Sequence, residues 1–176
     1  MREHPGSGFT LIEVLVALFV LAVGVVGAGA AQLAAQRTRQ QSALMSEAAQ
    51  LAASLAARMR ANAAVAGLPL ASNPYLALDY DAMRDGAPGA APASCYGASH
   101  CAPLRLAAFD LHETKQAVYA SFPGGRIAVC RDGAPWDART GRYRWTCDEA
   151  ADAPVLIKLG WIGFDDAPGL VAVVPQ

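Results

Sequence analysis

The side chains that could do chemistry are few, and the sequence does not group them into a reaction centre. His100 precedes Cys101, which could suggest a cysteine–histidine nucleophile, but a disulfide-bonded cysteine beside a loop histidine is the favoured interpretation. His112 and Glu113 lie in a predicted helix, but no second histidine follows four residues on, as a zinc peptidase helix requires. The sequence therefore indicates no enzyme.

Metal and phosphate sites are not indicated either. The cysteines lack the paired C-x-x-C spacing of zinc sites. Asp165 and Asp166 stand in a Gly/Pro-rich turn that could suggest calcium, but two carboxylates fall short of the roughly six to eight oxygen ligands that calcium takes. A solvated turn is favoured there, and Gly124-Gly125-Arg126 is interpreted as a turn. We expect no metal and no cofactor.

The four cysteines are Cys95, Cys101, Cys130 and Cys147. An even number, placed entirely after the apolar N-terminal run, is typical of an exported, oxidised domain with two disulfides. Four cysteines permit three connectivities. We favour Cys95 with Cys101, which are close in sequence, and Cys130 with Cys147, which fall near neighbouring predicted strands.

Glu13 is the remaining chemically notable residue. It lies at the start of an apolar run in which residues 14–31 carry no charge, close to the minimum of roughly 17–20 residues for spanning a bilayer. A carboxylate costs roughly 2.5–3.5 kcal/mol at the bilayer centre and less near an end. Two other interpretations stay open. In the first, the Glu13 side chain lies at the membrane edge and reaches back to the lipid headgroups. In the second, the apolar run is a secretory signal that is cut near residues 28–31.

Length, composition and net charge indicate what kind of domain the rest of the chain forms. The chain has 176 residues, 54% of them hydrophobic, with a net charge of -1 and a pI of about 6.3. Nothing in this balance indicates a nucleic-acid surface. Once a membrane segment is set aside, the length leaves one modest globular domain.

The predicted elements start with one long helix. No proline falls between Phe9 and Asn62, so we expect a continuous helix of roughly 50 residues. Its first part, residues 9–35, is apolar on all sides, whereas residues 36–62 are amphipathic. The apolar positions of the second part recur at helical spacing: Leu44, Ala48, Leu51, Leu55 and Met59.

The globular domain is predicted over residues 63–176. Prolines and glycines indicate an irregular connection over residues 63–101, in which Tyr75, Leu76, Leu78 and Tyr80 form a short strand or a hydrophobic pad. A helix is expected over residues 102–122, its apolar face formed by Leu104, Ala108, Leu111, Val118 and Phe122.

Period-two patterns then predict a sheet within residues 126–174, with strands over residues 126–131, 143–147, 155–161 and 170–174. Alternation of Val155, Ile157, Leu159 and Trp161 predicts that one face of the third strand is buried. The fold class is therefore α+β: a long N-terminal helix whose second half packs on a small antiparallel sheet with one further helix.

The stretch Gly8-Phe9-Thr10-Leu11-Ile12-Glu13 resembles the class III signal of type IV pilins and pseudopilins over all six residues. The resemblance implies a leader over residues 1–8, cleavage between Gly8 and Phe9 by a prepilin peptidase, and N-methylation of Phe9. It further implies that Glu13 pairs with the free N-terminal amine of a neighbouring subunit. The implied partners are the prepilin peptidase, other major and minor pilins, the inner-membrane assembly platform and membrane lipid, with no nucleic acid.

Further stretches are similar to the PilV-type minor pilins, which act as pilus modification or assembly proteins. They are Leu55-Ala56-Ala57-Arg58-Met59-Arg60-Ala61-Asn62, Phe109-Asp110-Leu111, and Phe122-Pro123-Gly124-Gly125 before a strand ending in Cys130. Thr114 departs from the pattern, because that helix commonly has a tryptophan there. The resemblance implies a minor pilin with the type IV pilin fold.

The implied location is the inner membrane with a periplasmic C-terminal domain, and the cell-surface pilus after assembly. This orientation follows from the resemblance and the cysteines. The distribution of positive charge does not indicate it, because Arg2 in the leader is outnumbered by Arg37 and Arg39 beyond the apolar run. Two alternatives stay open. One is a minor pseudopilin of a type II secretion system. The other is a single-pass envelope protein that binds a ligand through its disulfide-stapled loop.

Overall fold

The computed structural model describes residues 10–97, 100–164 and 166–175. The chain forms two compact units, Met1–Ala43 and Leu44–Gln176. Helix α1 (Leu11–Ala61, 51 residues) contributes residues to both units. It is rich in strong helix formers and free of proline, which explains its length, and its end is followed by Asn62, whose backbone N–H still bonds the carbonyl of Arg58. The continuous long helix predicted from the sequence is confirmed.

The second unit combines short helices with two sheets. After α1 come α2 (Ala63–Ala66), a 3₁₀ turn (Leu70–Ser72), β1 (Asp79–Asp81), α3 (Ala82–Asp85) and α4 (Pro103–Ser121). They are followed by β2 (Arg126–Arg131), β3 (Trp136–Asp137), β4 (Arg142–Tyr143), β5 (Val155–Gly160) and β6 (Leu170–Val173). The main sheet has the order β1-β2-β5-β6, and β3 pairs with β4 in a separate hairpin. This arrangement confirms the predicted α+β fold class.

The main sheet is antiparallel throughout, and β5 lies inside it. Ile127 of β2 is opposite Leu159 of β5, and Ile157 of β5 is opposite Ala172 of β6. The core of the second unit includes the buried side of α1, where Ala48, Leu55 and Met59 are almost fully buried. The helical spacing predicted for this part of α1 therefore agrees with its buried face.

The connection over residues 63–101 is less irregular than predicted. It contains α2, the 3₁₀ turn, β1 and α3. Tyr75, Leu76, Leu78 and Tyr80 are all buried, but only Tyr80 lies in a strand. These residues therefore form mainly a hydrophobic pad, the second of the two forms expected.

Two predictions about individual faces were incomplete. Val118 and Phe122 of the predicted α4 face are buried, and so is the whole predicted face of β5, but further residues depart from each pattern. In α4, Leu104 is 59% exposed, whereas Asp110 and Thr114 are buried beside Val118. Asp110 turns inward because Arg58 of α1 and Tyr75 bind its carboxylate. In β5 all six residues are buried rather than one face. The second face is covered because residues 132–146 fold over it, with Lys158 bound to Asp132 and to the carbonyls of Arg144 and Thr146.

The predicted strand over residues 143–147 was wrong. Only Arg142 and Tyr143 pair, and Cys147 lies outside any strand. Beyond Tyr143, the carbonyls of Arg144 and Thr146 accept hydrogen bonds from the Lys158 ammonium rather than from a partner strand. At these two carbonyls the Lys158 side chain therefore takes the place of the backbone hydrogen bonds that a partner strand would make.

Candidate functional site

The predicted processing site lies at the N-terminus. Gly8 and Phe9 are outside the described residues, and the first described residue is Thr10. The Thr10 carbonyl accepts hydrogen bonds from the N–H groups of Glu13 (3.1 Å) and Val14 (3.3 Å), which begins the helix. Glu13 is thus in the first turn of α1, where a carboxylate interacts favourably with the positive end of the helix dipole.

The helix after Glu13 exposes its apolar side chains. The large hydrophobic residues between Leu11 and Leu33 are each between 47% and 86% exposed. Among the described residues, α1 is the one helix long and apolar enough to cross a membrane. None of the residues in its most apolar 18-residue stretch is buried. Such a surface has to be covered by lipid or by other helices, because exposed apolar patches of this size are unfavourable in water.

The charge of Glu13 has no nearby cation further along the helix. Residues 14–36 contain no Asp, Glu, Lys or Arg, and the first cation after Glu13 is Arg37. At 1.5 Å per residue these two residues are roughly 36 Å apart along the axis. In an apolar surrounding, a positive partner for Glu13 therefore has to come from the residues that precede it or from another molecule.

A buried polar network lies where α1 ends in the second unit. The Asp110 carboxylate accepts hydrogen bonds from Arg58 Nη1 (3.0 Å) and the Tyr75 hydroxyl (2.8 Å). Asn62 Nδ2 donates to the same hydroxyl (3.2 Å) and to the Pro103 carbonyl (2.8 Å). Burial is the main cause that raises the pKa of Tyr75, so the phenol stays protonated and keeps donating. The network joins the last turns of α1 to α4.

The four cysteines form the disulfides Cys95–Cys101 and Cys130–Cys147, with Cα–Cα distances of 5.8 and 6.3 Å. The first closes a loop that rests on α4, where the Tyr96 hydroxyl donates to Glu113 Oε2 (2.6 Å) and the Tyr96 ring meets Phe109 edge-on at 5.0 Å. The second joins β2 to the segment that covers β5. Because Cys101 is oxidised, it offers no thiol to His100.

The described part of the chain contains no group of three or more His, Cys, Asp or Glu side chains placed to hold a metal. Asp166 is exposed, and its neighbour Asp165 is outside the described residues. His112 is half-buried on α4. None of these positions forms a catalytic arrangement within the described ranges.

One feature of the second unit was missed from the sequence: the ion pair between Lys158 and Asp132. Both side chains are fully buried, and Lys158 Nζ lies 2.5 Å from Asp132 Oδ2. The available signal was a lysine inside the apolar strand Val155-Leu156-Ile157-Lys158-Leu159. A buried lysine requires a partner, but the sequence does not show which carboxylate it is.

Comparison with known proteins agrees with the N-terminal geometry. Residues 6–29 match the prokaryotic N-terminal methylation motif, which is the class III prepilin signal. No curated protein and no solved structure matches the chain. The match supports a relationship to the type IV pilin family, whose members are structural subunits. It also supports the interpretation of the chain as a substrate of the prepilin type. Together with the apolar helix, it indicates membrane anchoring.

Proposed function

We propose that the chain is a minor type IV pilin, processed by a prepilin peptidase and incorporated into a pilus or used to prime its assembly. The observation that carries the proposal is the methylation motif over residues 6–29, most of which lies in an apolar helix with exposed side chains. The motif supplies the processing site, and the helix supplies a surface that only lipid or neighbouring helices can cover.

The proposed mechanism starts with cleavage after Gly8. The cut removes residues 1–8 and leaves Phe9 as the new N-terminus, which is then N-methylated. Glu13 lies four residues further along the sequence. In lipid, an ammonium and a carboxylate are each costly alone, so the Glu13 carboxylate favours pairing with the terminal amine of a neighbouring subunit. That pairing helps to set the register of subunits in the fibre.

Extraction from the inner membrane into the fibre then exchanges lipid contacts for helix contacts. The apolar side chains between Leu11 and Leu33, which are exposed in the single chain, pack against those of other pilins. The periplasmic domain caps or modifies the assembly. The partners are the peptidase, major and minor pilins and the inner-membrane assembly platform. The N-terminal match fits a pseudopilin of a type II secretion system equally well.

The test is the mass of the N-terminal peptide from membranes of cells with and without a prepilin peptidase. We expect a chain that begins at methylated Phe9 only when the peptidase is present. A terminus at Met1 in both strains, or a cut near residues 28–31, contradicts the proposal and leaves an anchored or secreted envelope protein. Counting surface pili in a deletion strain then separates a pilus subunit from a secretion pseudopilin.

A second variant isolates the role of Glu13. We expect Glu13→Ala to be cleaved and inserted normally but to be lost from sheared fibres, because the partner of the terminal amine is missing. Glu47→Ala is the matched control, since Glu47 is an exposed glutamate on the same helix. Equal recovery of Glu13→Ala and Glu47→Ala in fibres would show that the carboxylate of Glu13 plays no part in assembly.

A further inference from the structure

A cleft lies in the second unit at one end of the main sheet. There β2 ends at Arg131, β5 begins at Val155, and Val174 follows the last residue of β6. The last turn of α1 and helix α2 line the same cleft, through Met59 and Ala63 among others. Its volume is about 630 Å³, within the range of roughly 300–1,000 Å³ that is usual for small-molecule sites.

The buried part of the cleft lining is aliphatic. Met59, Val155 and Val174 all line the cleft, and each is 7% exposed or less. Ala63 and Pro175 lie nearer the solvent and are exposed. No aromatic side chain among the described residues lines the cleft, so a flat ring would find no stacking partner there. The apolar part of a ligand that matches these walls is a flexible hydrocarbon chain.

The charged residues that line the cleft are Arg60 and Arg131, and no carboxylate of the described ranges lines it with them. Arg131 Nη1 donates to the Ala153 carbonyl at 2.9 Å, which is a neutral acceptor. Within the part of the chain that the structure describes, neither arginine forms an ion pair with a carboxylate. Asp132, the neighbour of Arg131 in sequence, is buried and bound to the Lys158 ammonium instead. The two positive charges in the cleft therefore favour an anion.

The backbone around the cleft offers little to a peptide. The N–H groups of Ala66, Gly67 and Val174, which all line the cleft, already donate to carbonyls of the chain itself. Pro175, which follows Val174, has no N–H. A peptide lying in the cleft would therefore lose the hydration of its own amide groups without gaining bonds to these positions. A ligand with a plain hydrocarbon body avoids this cost.

We propose that this cleft binds an aliphatic carboxylate, such as the anion of a fatty acid. The hydrocarbon chain lies against Met59, Val155 and Val174, and the carboxylate accepts hydrogen bonds from Arg60 and Arg131. The planar fork of a guanidinium matches the two oxygens of a carboxylate. Burial of the hydrocarbon chain supplies much of the affinity, because an exposed ion pair contributes little alone. The inference concerns the second unit and does not depend on processing of the N-terminus.

The experiment uses the full chain in phosphatidylcholine nanodiscs, and empty nanodiscs are the blank for partitioning of the probes into lipid. The probe is octanoate. Octanol and octylammonium have the same hydrocarbon chain with no charge and with the opposite charge. Binding is measured by isothermal calorimetry. We expect octanoate to bind, and octanol and octylammonium to bind roughly tenfold more weakly or worse, because they cannot accept charge-assisted hydrogen bonds from the two arginines.

Two variants test the cations. Arg131 is half-buried, so we expect Arg131→Gln to weaken octanoate binding by roughly tenfold or more. Arg60 is exposed, so we expect Arg60→Gln to weaken it by roughly threefold to fivefold. Arg105→Gln is the matched control for Arg60→Gln, since Arg105 is an exposed arginine on α4 that does not line the cleft, and it should leave binding unchanged.

A further pair of variants tests the cleft itself. Ala63 and Ala64 are both exposed on α2, but Ala63 lines the cleft and Ala64 does not. We expect Ala63→Trp to fill the cleft and abolish octanoate binding, and Ala64→Trp to leave it unchanged, with both variants retaining cooperative unfolding in urea. Absence of octanoate binding, binding insensitive to both arginines, equal binding of octanol or octylammonium, or tighter binding of octyl phosphate would overturn the proposal.

Discussion

Replacing Lys158 with methionine removes the ammonium from the buried ion pair and keeps most of the side-chain volume. In the native chain all three ammonium protons have acceptors: Asp132 Oδ2, the Arg144 carbonyl and the Thr146 carbonyl. The substitution leaves these three acceptors without their donor in a site where both side chains are fully buried. Among the described residues, the Asp132 carboxylate then keeps one hydrogen bond, from the Ala134 N–H to Oδ1 at 2.9 Å.

The expected loss follows from this count of partners. Breaking a buried ion pair by removing one member costs about 3–5 kcal/mol, because the remaining charge is left uncompensated. Each orphaned carbonyl adds a desolvation cost of about 1 kcal/mol or more unless water reaches it. We therefore expect Lys158→Met to lower the free energy of unfolding by about 3–5 kcal/mol where water reaches the two carbonyls and by about 5–7 kcal/mol where it does not. Either value is a large share of a typical domain's stability of about 5–15 kcal/mol.

The assay is urea unfolding of the full chain in detergent, followed by tryptophan fluorescence. All three tryptophans, Trp136, Trp145 and Trp161, lie in the second unit, so the signal reports on that unit alone. Lys115→Met is the matched control, since the chain's one other lysine is not buried, and we expect its effect to stay within about 0.5 kcal/mol.

The double variant Lys158→Met/Asp132→Asn tests the mechanism. Removing both charges relieves the uncompensated carboxylate, and Asn can still accept from the Ala134 N–H. We expect it to be at least about 1 kcal/mol more stable than Lys158→Met alone. A loss below about 1 kcal/mol in Lys158→Met, or strict additivity of the two substitutions, would refute the argument that this pair holds the covering segment on β5.

Two further predictions concern a close contact and a pKa. A Cβ atom at Gly125 would lie 2.8 Å from Val118 Cγ1 and 2.9 Å from the Val118 carbonyl oxygen, so Gly125→Ala should cost about 1–3 kcal/mol in the same unfolding assay. A Cβ atom added at Gly89 would have no atom within 4 Å, so Gly89→Ala should not destabilise the chain. Equal effects of Gly125→Ala and Gly89→Ala on the free energy of unfolding would contradict this reasoning. The hydrogen bond from Arg84, helped by the Asp81 N–H, lowers the pKa of Asp85 from 3.8 to about 2. The stability that the ionised Asp85 contributes is therefore present above pH 3.8 and is lost as the pH falls toward 2. Carboxyl NMR titration should show that the Asp85 pKa rises in Arg84→Met. An unchanged pKa would exclude Arg84 as the cause.

The long helix and the position of Glu13 in its first turn could be predicted from the sequence. Both depend on short-range properties: an uninterrupted run of helix formers, a 3.6-residue repeat after residue 43, and a carboxylate at the edge of an apolar stretch. The core strands β2, β5 and β6 were predictable for the same reason, since period-two patterns and turn residues bound them.

The buried faces of α4 and β5 were decided only by the tertiary structure. Asp110 faces inward because Arg58, 52 residues earlier in the chain, donates to it, and Lys158 is buried because Asp132, 26 residues earlier, lies against it. A hydropathy pattern assigns such residues to the surface, since burying a charge is unfavourable until its partner is present. The partner comes from a distant segment, and its position exists only once the chain has folded.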